Sequence, residues 1–227
     1  ALAGLRPSLV LTQAVCEVCA VPTPGVLQTV EQLGLDARVL SLDAHTMADI
    51  VDSVRQVADA AGVPDRGRVV AESLEGRLAA VRDAVGTPAT ARPRVLAIEW
   101  LDPPFTPGHW VPEMIEMAGG TCLSGTAGSP SVQTTWEDLL GLDPDVLLVM
   151  PCGYGLGASR DEAETHRDRL REVAPRAVSE GRAWVLDGSS YFNRSGPRAV
   201  DGVEILAGIL HPGRWPQPSP EAAIPWK

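Results

Sequence analysis

The chain has 227 residues, a formal net charge of −10, 44% hydrophobic residues and 21% charged residues, which is the composition of a globular protein. This length allows one large domain or two smaller units that each bury a core. The acidic balance argues against a nucleic-acid partner, and no apolar run approaches the ~20 residues of a membrane-spanning helix. Four cysteines are too few for a disulfide scaffold, and no secretory leader precedes the first strand, so the compartment stays open.

The first part of the chain predicts a short α/β unit. The runs "SLVLT" (8–12) and "ARVLSL" (37–42) are bounded by turn residues, as buried parallel strands are. A helical pattern between them ends at Gly34, which is a typical helix terminator. We therefore predict a partial first α/β lobe over residues 1–45.

A helical connector is predicted over residues 46–92. Thr46 and Asp49 have the spacing of a capping box, which marks the start of a helix. Pro64 disfavours helix at the residue before it, so the connector is predicted as two helical segments with a short break between them.

A second α/β lobe is predicted over residues 93–212. Its strands are "RVLAIEW" (94–100), "DVLLVMP" (145–151) and "AWVLD" (183–187). The helices between them are a segment near 112–117, a short helix capped by Thr134 or Thr135, a charged helix over about 160–173, and a last helix with Pro197 at its first position. Residues 213–227 are rich in proline and are predicted to be a tail packed on the surface.

A faint internal repeat relates the two predicted lobes. "GLRPSLVL" (4–11) and "GLDPDVLL" (141–148) share Gly-Leu-x-Pro followed by an apolar strand, then a helix and a second strand. The alternative is that x-Pro simply starts many parallel strands. The second lobe has an additional strand–helix unit before its copy of the repeat, so the first lobe is expected to be short by about 50 to 90 residues.

The residues that follow the predicted strands are the candidates for a ligand site, because ligands of open α/β sheets bind beyond the carboxyl ends of the strands. Six of the ten aromatic residues are among them, which favours a wide, flat or macrocyclic ligand; the alternative for Trp100 is a place in the core. The candidates are Cys16, Glu17, Cys19, Trp100, Asp102, Phe105, His109, Trp110, Cys152, Tyr154, Tyr191, Phe192 and Arg194.

The Cys-x-x-Cys formed by Cys16 and Cys19 has three interpretations. A structural zinc site usually needs two such pairs or added histidines, which here would have to be Cys152 and His109. A redox pair would stand at a helix N-terminus, but Pro22 delays the next helix. The favoured interpretation is a loop that lines or supports the ligand site.

Catalytic signals are weak. The sequence has no Gly-x-Ser-x-Gly, and "GYGLGAS" (153–159) lacks the lysine and the spacing of a phosphate-binding loop. Glu99 and Asp102 could form an acid/base pair of a small hydrolase or transferase, although ligand contacts or helix capping explain them better.

Four ordered motifs together resemble one protein family. They are "RPSLVLTQAVCEVCAV", "VLAIEWLDPPFTPGHWVPEMIEMAGG", "TWEDLLGLDPDVLLVMPCGY" and "VLDGSSYFNRSGPRAVDGVEIL", and the resemblance extends over about residues 5–212. They are similar to the cobalamin-binding branch of the iron/vitamin B12 substrate-binding proteins of ABC importers.

The resemblance implies two lobes with parallel sheets joined by a long helical spine, in the manner of class III periplasmic binding proteins. It also implies that the first lobe is truncated at its N-terminus. The expected ligand is a corrinoid (cobalamin) or similar metal chelate, bound between the lobes by a non-enzymatic protein outside the cytoplasm. Docking to an ABC permease would use an acidic residue on each lobe, with Glu31, Glu113 and Glu116 as candidates.

Overall fold

The computed structural model describes residues 2–15, 21, 23–86 and 92–227. Contacts divide the chain into two compact units, Ala1–Ser73 and Leu74–Lys227, which are described separately. The division falls within one continuous helix, so its first part belongs to the first unit and its second part to the second unit. The predicted lobe and tail boundaries at 45, 92 and 212 stay predictions. In the described part of the chain, every helix is too short or too polar to cross a bilayer.

The first unit contains a two-stranded parallel sheet. Leu9 lies opposite Arg38 and Thr12 opposite Ser41, so both strands run in register over their full length. This confirms the two predicted strands and the helix between them. The elements in chain order are α1 (Leu2–Leu5), β1 (Leu9–Thr12), α2 (Thr23–Gln32), β2 (Arg38–Ser41), α3 (Met47–Ala60) and α4 (Pro64–Val85).

The start of α3 is fixed by the predicted capping box. The Asp49 amide donates to Thr46 Oγ1 at 3.1 Å, and the Thr46 amide donates to Asp49 Oδ2 at 2.9 Å. Two hydrogen-bond donors that helix geometry leaves without a partner are thereby satisfied. The break before Pro64 is also confirmed, and Gly67 then lets α4 pass close to α3, because a Cβ there would clash with Ala58 Cβ.

The second unit is built on a five-stranded sheet in the order β10–β9–β8–β3–β6. β9, β8, β3 and β6 are parallel to one another, and β10 is antiparallel to β9. A small antiparallel sheet, β4–β5–β7, adjoins the end of β3. The elements are β3 (Arg94–Ile98), β4 (Trp100–Leu101), β5 (Pro104–Thr106), α5 (Val111–Met117), β6 (Thr121–Cys122), β7 (Val132–Gln133), α6 (Trp136–Leu139), β8 (Val146–Val149), α7 (Leu156–Thr165), α8 (Arg167–Val173), α9 (Pro175–Ser179), β9 (Ala183–Leu186), α10 (Gly188–Tyr191), α11 (Arg198–Leu210) and β10 (Ala223–Trp226).

The core of this unit lies on the central strands. All four residues of β8 are buried, and Leu147 and Val149 pack in one cluster with Leu170 and Val173 of α8. Strands covered on both faces read as continuous apolar runs, which is why "DVLLVMP" was recognisable in the sequence. The predicted α/β fold class is therefore confirmed.

Three predicted elements differ from the structure. The charged segment forms α7 and α8 rather than one helix, because His166 between them leaves helical geometry at ψ 20°. Pro197 caps α11 rather than occupying its first turn. The C-terminal segment is more than a surface tail, since its last residues form β10 and bury Trp226 at the edge of the sheet.

The internal repeat extends to backbone conformation. Arg6 and Asp143 occupy the same place in the two Gly-Leu-x-Pro motifs, and both have a positive φ, 42° and 44° respectively. Each motif leads into a strand that pairs in parallel with the next strand of its own repeat. Non-glycine residues rarely adopt this conformation, so its recurrence supports the interpretation of two related units.

Candidate functional site

The candidate site lies at the carboxyl ends of β3, β8 and β9 in the second unit. Ile98 pairs with Val149, so β3 and β8 end at the same edge of the sheet. The segments that follow β3 and β8 are hydrogen-bonded to each other, since the Cys152 amide donates to the carbonyl of Glu99 at 2.9 Å. The Ser189 amide beyond β9 donates to the carbonyl of Tyr154 at 2.9 Å. We call this edge, with Glu99, Trp100, Cys152 and Tyr154 at its centre, the strand-end site.

An aromatic pair stands at this edge. The rings of Trp100 and Tyr154 meet edge to face, with centroids 5.3 Å apart and an interplanar angle of 71°. Trp100 Nε1 donates to the carbonyl of Asp102 at 3.0 Å, which fixes the indole. Both rings are half-buried, so Trp100 belongs to the site edge and does not lie fully in the core. Phe105 of β5 lies opposite Trp100 and is also half-buried.

Glu99 is a largely desolvated carboxyl group at the end of the central strand β3. Burial raises its pKa to about 7, although hydrogen bonds from the Ser131 hydroxyl and the Gly108 amide favour the ionised form. Cys152 lies next to it: burial raises the pKa of the thiol, the Glu99 charge raises it further, and the Arg194 charge lowers it. At neutral pH the Glu99 carboxyl group therefore carries a proton part of the time.

The two partners of Glu99 belong to loops that interlock. A Cβ on Gly108 would lie 2.2 Å from the amide nitrogen of Ser131, so only glycine fits there. The His109 amide donates to Ser129 at 2.6 Å, and the Gly128 amide donates back to His109 at 2.8 Å. This closed pair of bonds holds His109, which is half-buried, in the left-handed region at φ 51°. Glu99 thus hydrogen-bonds to both of the loops that hold His109 in place.

Two of the predicted ligand contacts are core residues. Phe192 is 0% exposed and Trp110 is 6% exposed. Trp110 Nε1 donates to the carbonyl of Phe192 at 2.7 Å, so the pair ties α5 to the loop after α10. The predicted direct contact of these two side chains with a ligand is therefore corrected. Strand-end position alone cannot tell a ring that faces the site from one that packs beneath it.

The remaining predicted residues divide into two groups. Asp102 and Arg194 are exposed and Tyr191 is half-buried, with the Arg198 guanidinium 5.8 Å from its ring centroid. Cys16, Glu17 and Cys19 lie outside the described residues, so their part in a site stays a prediction.

The metal interpretation gains no support from the described residues, among which no three His, Cys, Asp or Glu side chains are grouped to hold an ion. Cys16 and Cys19 lie outside the described residues. The acid/base interpretation is also weak: Asp102 is exposed and its carbonyl binds the Trp100 indole, while the Glu99 carboxyl group is committed to Ser131 and Gly108.

Ser131, Gly108, Ser189 and Arg198 contribute to the site and were missed in the sequence. Ser131 and Gly108 come from a loop and a turn that follow no buried strand. No local signal marks them, because their roles arise from contacts with residues distant in the chain.

The family assignment comes from comparison with known proteins. A family model described as "Periplasmic binding protein" matches residues 1–186. The chain is 23% identical over 187 residues to a Vibrio cholerae protein named "Vitamin B12-binding protein", covering 82% of this chain and 64% of that one. It is 24% identical over 213 residues to a Bacillus subtilis protein named "Uncharacterized ABC transporter substrate-binding lipoprotein YvrC", covering 92% of this chain and 63% of that one.

A solved structure agrees on the fold. The periplasmic heme-binding protein from Pseudomonas aeruginosa superposes with a TM-score of 0.72 at 22% identity, over 96% of this chain and 77% of that one. The chain spans less than two thirds of the length of the two named relatives. Because the family model matches most of the sequence, and the fold agrees, the chain belongs to the periplasmic binding protein family.

Proposed function

We propose that this protein is a non-enzymatic substrate-binding component of an ABC importer, acting outside the cytoplasm on a corrinoid or similar macrocyclic metal chelate. The observation that carries the proposal is the half-buried aromatic pair of Trp100 and Tyr154 at the carboxyl edge of a parallel sheet. Aromatic faces and edges supply large apolar area with little loss of side-chain entropy, which suits a flat ring system.

The relatives support the same ligand class without separating its members. One is named for vitamin B12 and a structural neighbour for heme. Both ligands are broad rings around a metal ion, and both can pack against an aromatic wall. We therefore propose the macrocyclic chelate as the class and cobalamin as its first candidate.

The proposed ligand contacts in the second unit are the site-facing members of the predicted set: Trp100, Asp102, Phe105, His109, Cys152, Tyr154, Tyr191 and Arg194. Trp110 and Phe192 support this surface from the core. Cys16, Glu17 and Cys19 remain proposed contacts from the first unit.

Docking to a permease is proposed for the acidic helix residues. Glu31 on α2 and Glu116 on α5 are exposed, and Glu113 is half-buried. Charge reversal at Glu116 is expected to weaken binding to the cognate permease in a salt-dependent manner.

Titration of the protein with cyanocobalamin and with hemin, followed by calorimetry and tryptophan fluorescence, tests the ligand class. Trp100→Leu is expected to weaken binding at least tenfold, because the ring forms part of the wall. Trp136→Leu is the matched control, since Trp136 stacks on His166, with ring centroids 6.2 Å apart, in a different part of the unit. Absence of binding of every macrocycle at high micromolar concentration, or equal losses in both variants, would refute the proposal.

A further inference from the structure

A cavity of about 430 Å³ adjoins the strand-end site. It lies between α10 and the start of α11 and is lined by Ser189, Ser190, Arg194, Gly196, Pro197 and Arg198. Two of these six residues carry guanidinium groups and two carry hydroxyl groups, so the lining is rich in hydrogen-bond donors. None of the six carries a carboxylate.

The two arginines keep their charge available. Among the described residues, neither Arg194 nor Arg198 forms an ion pair with a carboxylate, although the chain as a whole has 29 acidic and 19 basic residues. Arg198 lies over the Tyr191 ring, and Arg194 makes one long contact of 3.4 Å with Ser189 Oγ. The nearby carboxylate of Asp187 is occupied as a helix cap, accepting from the Ser190 amide at 2.8 Å.

The guanidinium groups and the hydroxyl donors favour an anion over a neutral group. The start of α11 adds little to their field. Asp201 lies in the first turn of this 13-residue helix, and the Ala199 and Val200 amides already donate to the carbonyls of Gly196 and Pro197.

Two interactions link the lining of the cavity to the strand-end site. Ser189 in its lining donates its amide hydrogen to Tyr154, which is half of the aromatic pair. Arg194 in its lining acts electrostatically on Cys152. Ser189 and Arg194 therefore connect the lining of this cavity to Tyr154 and Cys152 of the strand-end site.

We propose that this cavity is an anion subsite, and that the natural ligand of the strand-end site carries a carboxylate or phosphate group that Arg194 and Arg198 bind. The inference rests on the proposed function and narrows its ligand class to acidic macrocycles. Two sources provide the anion: the carboxylate side chains of a metalloporphyrin and the phosphodiester of a complete corrinoid.

The test compares members of each source that carry the anionic group with members that lack it. Wild-type protein is titrated calorimetrically with hemin and with its dimethyl ester, and with cobalamin and with cobinamide, which lacks the phosphodiester and the nucleotide. At low salt the acidic member of the recognised pair is expected to bind at least tenfold more tightly, and this preference is expected to shrink as salt rises. The pair that shows the preference identifies the source.

Variants assign the effect to the cavity. Arg194→Gln and Arg198→Gln are each expected to weaken the acidic ligand at least fivefold, and to weaken the analogue without the anionic group by a clearly smaller factor. Arg171→Gln, an exposed arginine on α8, is the matched control for loss of one positive charge and is expected to change neither affinity. Circular dichroism of each variant confirms folding.

The outcomes separate this inference from the function on which it rests. Equal binding of macrocycles with and without the anionic group would overturn the anion subsite, and so would equal effects of Arg194→Gln on the affinity for the two ligands. Either result leaves the proposed function standing. Binding of no macrocycle overturns both.

Discussion

The two units of this protein contain the same local pattern in different surroundings. Each has a Gly-Leu-x-Pro turn with a positive φ, then a strand, a helical connection and a second parallel strand. The connection is the single helix α2 in the first unit and α7, α8 and α9 in the second. In the second unit the first strand of the pattern, β8, lies between two neighbours and is wholly buried. In the first unit the corresponding strand, β1, has one described neighbour and its residues are half-buried or exposed.

The difference shows what local sequence can and cannot decide. Leu11 and Leu148 occupy the same place in the repeat, yet Leu11 is 47% exposed and Leu148 is 0% exposed. The turn, strand and helix form in both units because their signals are local. Burial depends on how many layers and strands surround the pattern, which no local signal encodes.

The largest expected effect comes from the buried copy of this matched pair. Leu148→Ala is expected to lower the free energy of unfolding of the second unit by about 2–5 kcal/mol, because it leaves a cavity in a closed core. All six tryptophans lie in this unit, so urea denaturation followed by tryptophan fluorescence measures its stability directly.

Leu11→Ala is the matched variant in the first unit. It is expected to cost less than about 1 kcal/mol, measured by hydrogen exchange of the β2 amides, because half of the side chain already contacts solvent. Equal costs at the two positions would mean that the repeat, and not its surroundings, determines the energetics.

The next effect is the pH dependence of stability that comes from Glu99, the carboxyl group at the end of β3. The pKa of Glu99 is about 7 in the folded protein against a reference of 4.5, so the folded state binds more protons between these values. The contribution of this group to stability therefore falls as pH rises from about 4.5 to above 7. Glu99→Gln removes this pH-dependent contribution. As pH rises across that range, the free energy of unfolding of the variant is therefore expected to increase relative to that of wild type by up to about 3 kcal/mol.

Urea denaturation at several pH values, again followed by tryptophan fluorescence, measures this difference. Asp43→Asn in the first unit is the control for loss of a strand-end carboxylate, and hydrogen exchange of the β2 amides follows it because the tryptophans lie in the second unit. Asp43 is exposed and accepts from the Ser41 hydroxyl at 2.7 Å. A difference between Glu99→Gln and wild type that stays constant with pH would show that the Glu99 carboxyl group is not desolvated in solution.

The smallest expected effect comes from substitutions in the Gly-Leu-x-Pro turn that the two units share. Arg6→Gly is expected to stabilise the first unit by up to about 1 kcal/mol, because glycine adopts a positive φ without steric cost, offset in part by its chain entropy. Asp143→Gly is expected to give no net gain, since Asp143 Oδ1 also accepts from Arg176 Nε at 3.0 Å. Hydrogen exchange measures the first variant and urea denaturation the second.

A loss of stability in Arg6→Gly would contradict the shared turn geometry. Arg6→Val completes the series, because a β-branched residue tolerates this conformation least. It is expected to lower the stability of the first unit.

The site could be predicted from the sequence only in part. The position of Trp100, Cys152 and Tyr154 followed from the rule that ligands bind beyond parallel strands, and the structure brings these residues to one edge. The burial of Trp110 and Phe192 could not be predicted, because α5 and the loop after α10 meet only in the folded unit. Ser131 and Gly108, which hydrogen-bond to Glu99, could not be predicted for the same reason.

Local sequence was enough to predict five strands (β1, β2, β3, β8 and β9), the capping of α3 and the family, because each depends on neighbouring residues or on ordered motifs. Three features could be seen only in the folded protein: β10 completes the sheet, Ser131 and Gly108 hold Glu99, and two arginines line one cavity. These features depend on contacts between segments far apart in the chain, where burial and charge are set by packing and not by local order.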